Sequence, residues 1–162
     1  MTVTKNGLSF KHFQAWERNR RSAKPKSKTI TAQIYSQARS LDAKKFLLHL
    51  VETASYKIRS IQVDGGSEFM LEFEQTCAEL NIPLFVPATP NYNGGVERGN
   101  KIFREEFYAN PGLLADSLNA MRFSLRKAVK KYNKYRPHHS LNGLTPMEYI
   151  DGHSEAFLSQ NG

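Results

Sequence analysis

The chain has 162 residues and a mass of 18.5 kDa, with 40% hydrophobic and 11% aromatic residues, enough for one globular core and unlike a disordered chain. Its 23 Lys and Arg against 15 Asp and Glu give a net charge of +8 and a pI near 9.6, which favours a polyanionic partner. No run of about 18 apolar residues is present, the N-terminus lacks an apolar leader, and the lone Cys77 excludes an internal disulfide framework and a Cys-based zinc site. The expectation is a soluble intracellular protein with no membrane partner.

In chain order, residues 1–7 carry no predicted element and read as an unstructured start. Leu8 to Trp16 alternates and predicts a strand, followed by a basic loop over 18–28 that contains Pro25. Thr29 to Tyr35 is rich in β-branched residues and predicts a second strand. Leu41, Phe46, Leu47, Leu50 and Val51 recur at helical spacing, with Ser40 as the N-cap and an end near Thr53.

Ile58, Ile61 and Val63 predict a strand that delivers Asp64 into a Gly65-Gly66 turn. A helix is expected from Ser67 to Leu80, terminated by Asn81 ahead of Pro83, then a short strand at Leu84 to Val86 and a loop from Pro87 to Gly95. Val96 to Tyr108 predicts a helix, broken at Asn110-Pro111-Gly112. A longer one is expected from Ser117 to Tyr135, with Leu118, Met121, Leu125, Ala128, Tyr132 and Tyr135 as its apolar stripe. Thr145 caps and Pro146 opens a last short helix, and 151–162 reads as a tail to a domain spanning 8–150.

Two acidic motifs stand out: Val63-Asp64-Gly65-Gly66-Ser67-Glu68-Phe69, and Asn93-Gly94-Gly95-Val96-Glu97-Arg98. Thirty-two residues separate Asp64 from Glu97. One carboxylate ends a strand and the other opens a helix, so both can converge on a divalent cation of the kind that serves phosphoryl transfer. Each has a plainer reading, Asp64 as a turn former and Glu97 as a first-turn carboxylate complementing the helix dipole. Glu68 reads as a local hydrogen-bond acceptor.

The cations are clustered. Arg18, Arg20, Arg21, Lys24, Lys26 and Lys28 crowd one segment, and Arg122, Arg126, Lys127, Lys130, Lys131, Lys134 and Arg136 another. No acidic residue lies between Asp116 and Glu148. Contact with a phosphate backbone and a solvated helix face are the two readings. Lys101, one turn after Glu97, either meets a phosphate or pairs with Glu97. His138-His139 has no metal-ligating companion nearby, and Tyr132, Tyr135 and Trp16 are spaced for core packing more than for stacking on bases.

Asp-Gly-Gly-Ser-Glu-Phe at 64–69, Asn-Gly-Gly-Val-Glu-Arg at 93–98 with Arg104-Glu105-Glu106-Phe107-Tyr108, and Tyr132 to Leu141 with Thr145-Pro146 resemble the integrase catalytic core of bacterial insertion-sequence transposases, relatives of retroviral integrases. The likeness spans 8–150. It implies an α/β, ribonuclease-H-like mixed sheet flanked by helices, and an active site of three acidic residues, of which Asp64 matches the second and Glu97 the third. It further implies Mg²⁺ or Mn²⁺ as cofactor, held by Asp64 and Glu97, and DNA and other transposase subunits as partners. Arg98, Lys101, Arg122, Arg126, Lys130, Lys134 and Arg136 become the candidate DNA contacts, and a bacterial, nucleoid-associated cytoplasmic location follows from the same resemblance.

The chain departs from the pattern in one decisive place. The first Asp of the triad belongs to an initial strand ahead of the one matched by Leu8 to Trp16, and Met1 to Gly7 contains no acidic residue. The expectation is therefore a core whose first central strand is missing and which is inactive alone, since nothing in the sequence shows that Glu17, at the end of the second family strand, or Asp42 could replace the lost Asp. The loop over 87–95 is also shortened, and the basic loop over 18–28 lengthened, relative to the family. The alternative function is a non-catalytic DNA-binding or transposase-interacting regulatory module; a third reading is a piece completed by an upstream frame.

Overall fold

The computed structural model describes residues 2–5, 8–16, 27–54, 57–86, 101, 103–109 and 117–159, of which 2–5, 8–16, 103 and 153–159 are described by their backbone alone. Strands β1 (Thr2–Lys5), β2 (Leu8–Trp16) and β3 (Ile30–Tyr35) form an antiparallel meander in that order. Helix α1 (Ser40–Thr53) leads to β4 (Ile61–Gln62), a 3₁₀ turn (Ser67–Phe69), α2 (Glu72–Glu79) and β5 (Leu84–Phe85), and β4 and β5 pair in parallel. A π-helical segment (Phe103–Tyr108), the long helix α3 (Leu118–Tyr135), a 3₁₀ turn (His139–Leu141) and α4 (Pro146–Ser159) complete the described fold.

Two of these elements differ from the sequence reading. Residues 1–7 were expected to be without structure, yet Thr2–Lys5 pairs with β2, Lys5 lying opposite Leu8. The segment Thr-Val-Thr favours extended backbone, and only Asn6-Gly7 separates the paired residues, a dipeptide that is a strong hairpin signal. A strand thus precedes Leu8, but it is four residues long, lacks a carboxylate and has no ladder to β4 among the described residues. At the other end, α4 continues through residues expected to form the tail, as far as Ser159.

Strand β3 is the shared wall of two hydrophobic clusters. Ile30, Ala32 and Ile34 pack with Phe107, Met121, Leu125 and Tyr132. Tyr35 joins Ala43, Phe46, Leu47, Val63, Phe73 and Cys77. The first cluster is the apolar stripe of α3, with one change: Tyr135, the last residue of the expected stripe, is 67% exposed. Ile30, Ile34, Leu47, Met121 and Leu125 are the largest fully buried apolar side chains, each contributing about 1.5–3 kcal/mol by burial.

Local capping explains the helix boundaries. Arg39, not Ser40, is the N-cap of α1; the buried Asp42 carboxylate accepts from the Arg39 backbone N–H at 3.4 Å and from Arg39 Nε at 3.1 Å. Ser117 Oγ accepts from Ala120 N at 3.2 Å at the start of α3. Thr145 and Glu148 form a reciprocal pair opening α4, Thr145 N donating to Glu148 Oε2 at 2.8 Å and Glu148 N to Thr145 Oγ1 at 3.3 Å. This pairing holds the Glu148 carboxyl below its usual range.

Candidate functional site

Asp64 is placed by the β4–β5 pair. Ile61 N donates to Pro83 O at 2.9 Å and Val63 N to Phe85 O at 3.0 Å, so the parallel ladder runs up to the residue before Asp64. Val63 is buried among α1 and α2 side chains and Asp64 is exposed, as strand alternation requires. Asp64 Oδ1 accepts from Gly66 N at 3.2 Å, closing the turn. Gly65 has φ +81°, a backbone conformation that favours glycine, and a Cβ there would stand a tight 3.0 Å from Val86 Cγ1.

The helix expected over 67–80 is two pieces. A 3₁₀ turn at Ser67–Phe69 is separated from α2 by Met70 and Leu71, the latter at φ 50° and ψ −113°. The break is held from outside, because Ser40 Oγ donates to Met70 O and accepts from Phe73 N at 3.1 Å. Ser40, expected to cap its own helix, instead ties the start of α1 to the start of α2 and so anchors the far end of the Asp64 turn. Sequence spacing gave no sign of this 33-residue link.

Glu97 and Arg98 lie outside the described residues. Lys101 pairs with Glu105 at 3.7 Å, one turn onward. Arg136 makes a two-pronged ion pair with Glu106, Nη1 to Oε2 at 2.8 Å and Nη2 to Oε1 at 2.7 Å, and lies over the Tyr132 ring at 5.4 Å. Burial pushes the Tyr132 phenol up to about 12, with Arg136 opposing. Arg122 Nε donates to Ile34 O at 3.1 Å. Both guanidiniums thus have partners inside the fold that sequence alone did not reveal, whereas Arg126, Lys130 and Lys134 are exposed along α3.

His138 faces inward, its ring 4.9 Å from that of Tyr132. Burial lowers its pKa to about 4, with Arg136 and Lys28 acting in the same direction.

Residues 79–146 match the family model of the integrase core domain. The catalytic core domain of BIV integrase is similar over 97% of this chain and 95% of its own, with TM-score 0.69 and 22% identity. The HTLV-2 integrase catalytic core, solved in complex with magnesium, is similar over 92% of this chain and 90% of its own, with TM-score 0.69 and 16% identity. This is an integrase-core fold. A chain of the simian T-cell lymphotropic virus intasome is similar over 85% of this chain and 47% of its own, with TM-score 0.67 and 21% identity. No curated protein sequence matches. The α/β, ribonuclease-H-like fold expected from the motifs is thereby shown.

Within this integrase-core fold, the matched segment contains Glu97 and the cations of α3, while Asp64 lies ahead of it and is placed by the fold. A magnesium ion needs near-octahedral oxygen ligation. Among the described residues no three His, Cys, Asp or Glu come together. None of the described helices is long and apolar enough to cross a membrane.

Proposed function

We propose that the chain is the catalytic-core portion of a transposase of the three-carboxylate class, working on DNA in integration and transposition, and that these 162 residues alone do not cleave DNA. The observation that carries this reading is the position of Asp64. It stands just past the carboxyl end of β4, in a glycine turn whose backbone disfavours a side chain at Gly65, within an integrase-core fold. In this reading Asp64 and Glu97 are two of the three carboxylates, and together they hold Mg²⁺ or Mn²⁺ weakly. The strand that would carry the third, β1, reads Thr-Val-Thr-Lys. Other transposase subunits are partners, and the cell compartment is the bacterial cytoplasm with its nucleoid.

Nicking of supercoiled plasmid by the purified chain in Mg²⁺ and Mn²⁺ tests this, with Asp64→Asn and Glu97→Gln alongside and folding verified by a cooperative melt. A folded, inactive protein is expected. Nicking that disappears in both variants would show that another carboxylate completes the site and overturn the inactive reading.

A second reading, a DNA-binding module that joins or blocks a complete transposase, is favoured by one feature. Helix α3 carries Arg126, Lys127, Lys130, Lys131 and Lys134 exposed and contains no acidic residue. Steeply salt-dependent DNA binding that is unchanged in Glu97→Gln, without nicking, would support this module.

A further inference from the structure

On α3, Arg126, Lys130 and Lys134 follow one another at four-residue spacing, and so do Phe123, Lys127, Lys131 and Tyr135. Residues four apart form a ridge along a helix, so these are two neighbouring ridges. Like charges at this spacing repel. The ion pairs among the described residues join Arg39 and Lys45 to Asp42, Lys101 to Glu105 and Arg136 to Glu106, and none neutralises these five cations. Among the described residues the helix thus presents a cationic face with no paired carboxylate.

The second ridge begins and ends with a ring. Phe123 is 53% exposed and Tyr135 is 67% exposed, and neither belongs to a buried cluster. They stand about 18 Å apart along the helix axis, the length of a few nucleotides. Lys127 Nζ lies 4.4 Å from the Phe123 ring centre, so a cation already sits where a flat π-system would stack. An exposed cation–π contact is the weaker of the two interactions; a base can take its place and release the ammonium to a phosphate.

We propose that the outward face of α3 binds a short stretch of single-stranded DNA, with unpaired bases stacking on Phe123 and Tyr135 and the backbone phosphates against Lys127, Lys131 and the Arg126, Lys130, Lys134 ridge. It rests on the DNA-directed part of the function proposed above. A duplex presents phosphates but keeps its base faces stacked internally, which leaves two exposed rings without a role; an unpaired strand uses both. A membrane surface fits less well, because the apolar stripe of α3 is buried against β3 and the rings are separated by two lysines.

The test is fluorescence anisotropy of the 162-residue chain with a labelled oligothymidylate and with a duplex of equal length, across a salt series. Phe123→Ala with Tyr135→Ala is expected to weaken single-strand binding about tenfold or more, to change duplex binding by less than about twofold, and to leave the salt slope unaltered. Lys130→Ala with Lys134→Ala is expected to weaken both and to flatten the single-strand salt slope by about 1.4. Phe123→Trp with Tyr135→Trp should retain single-strand binding, which separates stacking from a folding effect. Duplex binding with no dependence on the rings for the single strand would overturn the inference and leave the proposed function standing. Failure to bind either DNA would overturn both. Binding of phosphatidylserine vesicles but not oligothymidylate, or self-association abolished by the ring variants without an effect on DNA, would replace the single strand with a membrane or a second copy.

Discussion

Asn133 stands in for a neighbouring strand beside Ile30. Its side-chain Nδ2 donates to Ile30 O at 2.8 Å, and its Oδ1 accepts from Ile30 N at 3.0 Å. Backbone groups of alternate residues point to the same side of a strand, so Ile30, Ala32 and Ile34 turn their polar groups away from β2. Asn133 satisfies one end of this open edge and Arg122 Nε, bonded to Ile34 O, the other. Replacing Asn133 by Ala leaves a donor and an acceptor without partners, and the expected cost is about 1–3 kcal/mol. Chemical denaturation checks the value, and light scattering checks the accompanying tendency of an uncovered edge to associate.

A side chain at Gly65 is expected to destabilise the turn. With φ at +81° and Val86 Cγ1 3.0 Å from where a Cβ would sit, Gly65→Ala combines backbone strain with a close contact. A loss of at least about 1–2 kcal/mol follows from the backbone alone. Gly152→Ala, with nothing within 4 Å of its added Cβ, is the matched control and should not destabilise. Equal melting temperatures for Gly65→Ala and the parent chain would contradict the turn geometry around Asp64.

The Glu106–Arg136 pair joins the π-helical segment to the end of α3. Its side chains are 53% and 36% exposed, so solvent screens the attraction. A double-mutant cycle with Glu106→Gln and Arg136→Met is expected to give a coupling of about 0.5–1 kcal/mol that shrinks with added salt. A coupling above this range and insensitive to salt would mean that the pair is more enclosed than its exposure indicates.

His138 makes the fold acid-sensitive. Its pKa is about 4 when folded, against an ordinary value of 6.5, so between these limits the unfolded chain takes up a proton that the folded chain refuses. Stability is therefore full above about pH 6.5 and declines as the pH falls towards about 4. Thermal melts between pH 7 and pH 5 should show this decline in the parent chain and a flatter profile in His138→Phe, which keeps an aromatic ring against Tyr132. Identical profiles would exclude His138 as the cause.

Much of this was legible in the sequence, and the parts that were not share a cause. The stripe Leu118, Met121, Leu125, Ala128, Tyr132 identified both α3 and its buried face, because helical periodicity is a local property. The Thr145 cap and the left-handed Asn81, at φ 54°, were equally local. Tyr135 failed as a core residue because the stripe outlasts the strand it packs on. The bonds of Ser40 to Met70 and Phe73, Asn133 to Ile30 and Arg122 to Ile34 join residues far apart in the chain, and no spacing rule reports them. At the site, the turn that holds Asp64 was readable from Asp-Gly-Gly, because a left-handed glycine is a local property, whereas Glu97 was read, like the role of Asp64, from its motif and lies outside the described residues.

Ile34 and Tyr35 are consecutive residues of β3 that belong to different clusters, one facing α3 and the other facing α1. Sheet parity makes that division all-or-none: slipping the strand by one position would turn Ile30, Ala32 and Ile34 towards the wrong helix together. A one-residue deletion between Ser27 and Tyr35 is thus a graver lesion than the loss of any single side chain there. It would misfile the contents of both clusters at once, and with them the seating of the Asp64 turn on one side and the basic helix on the other.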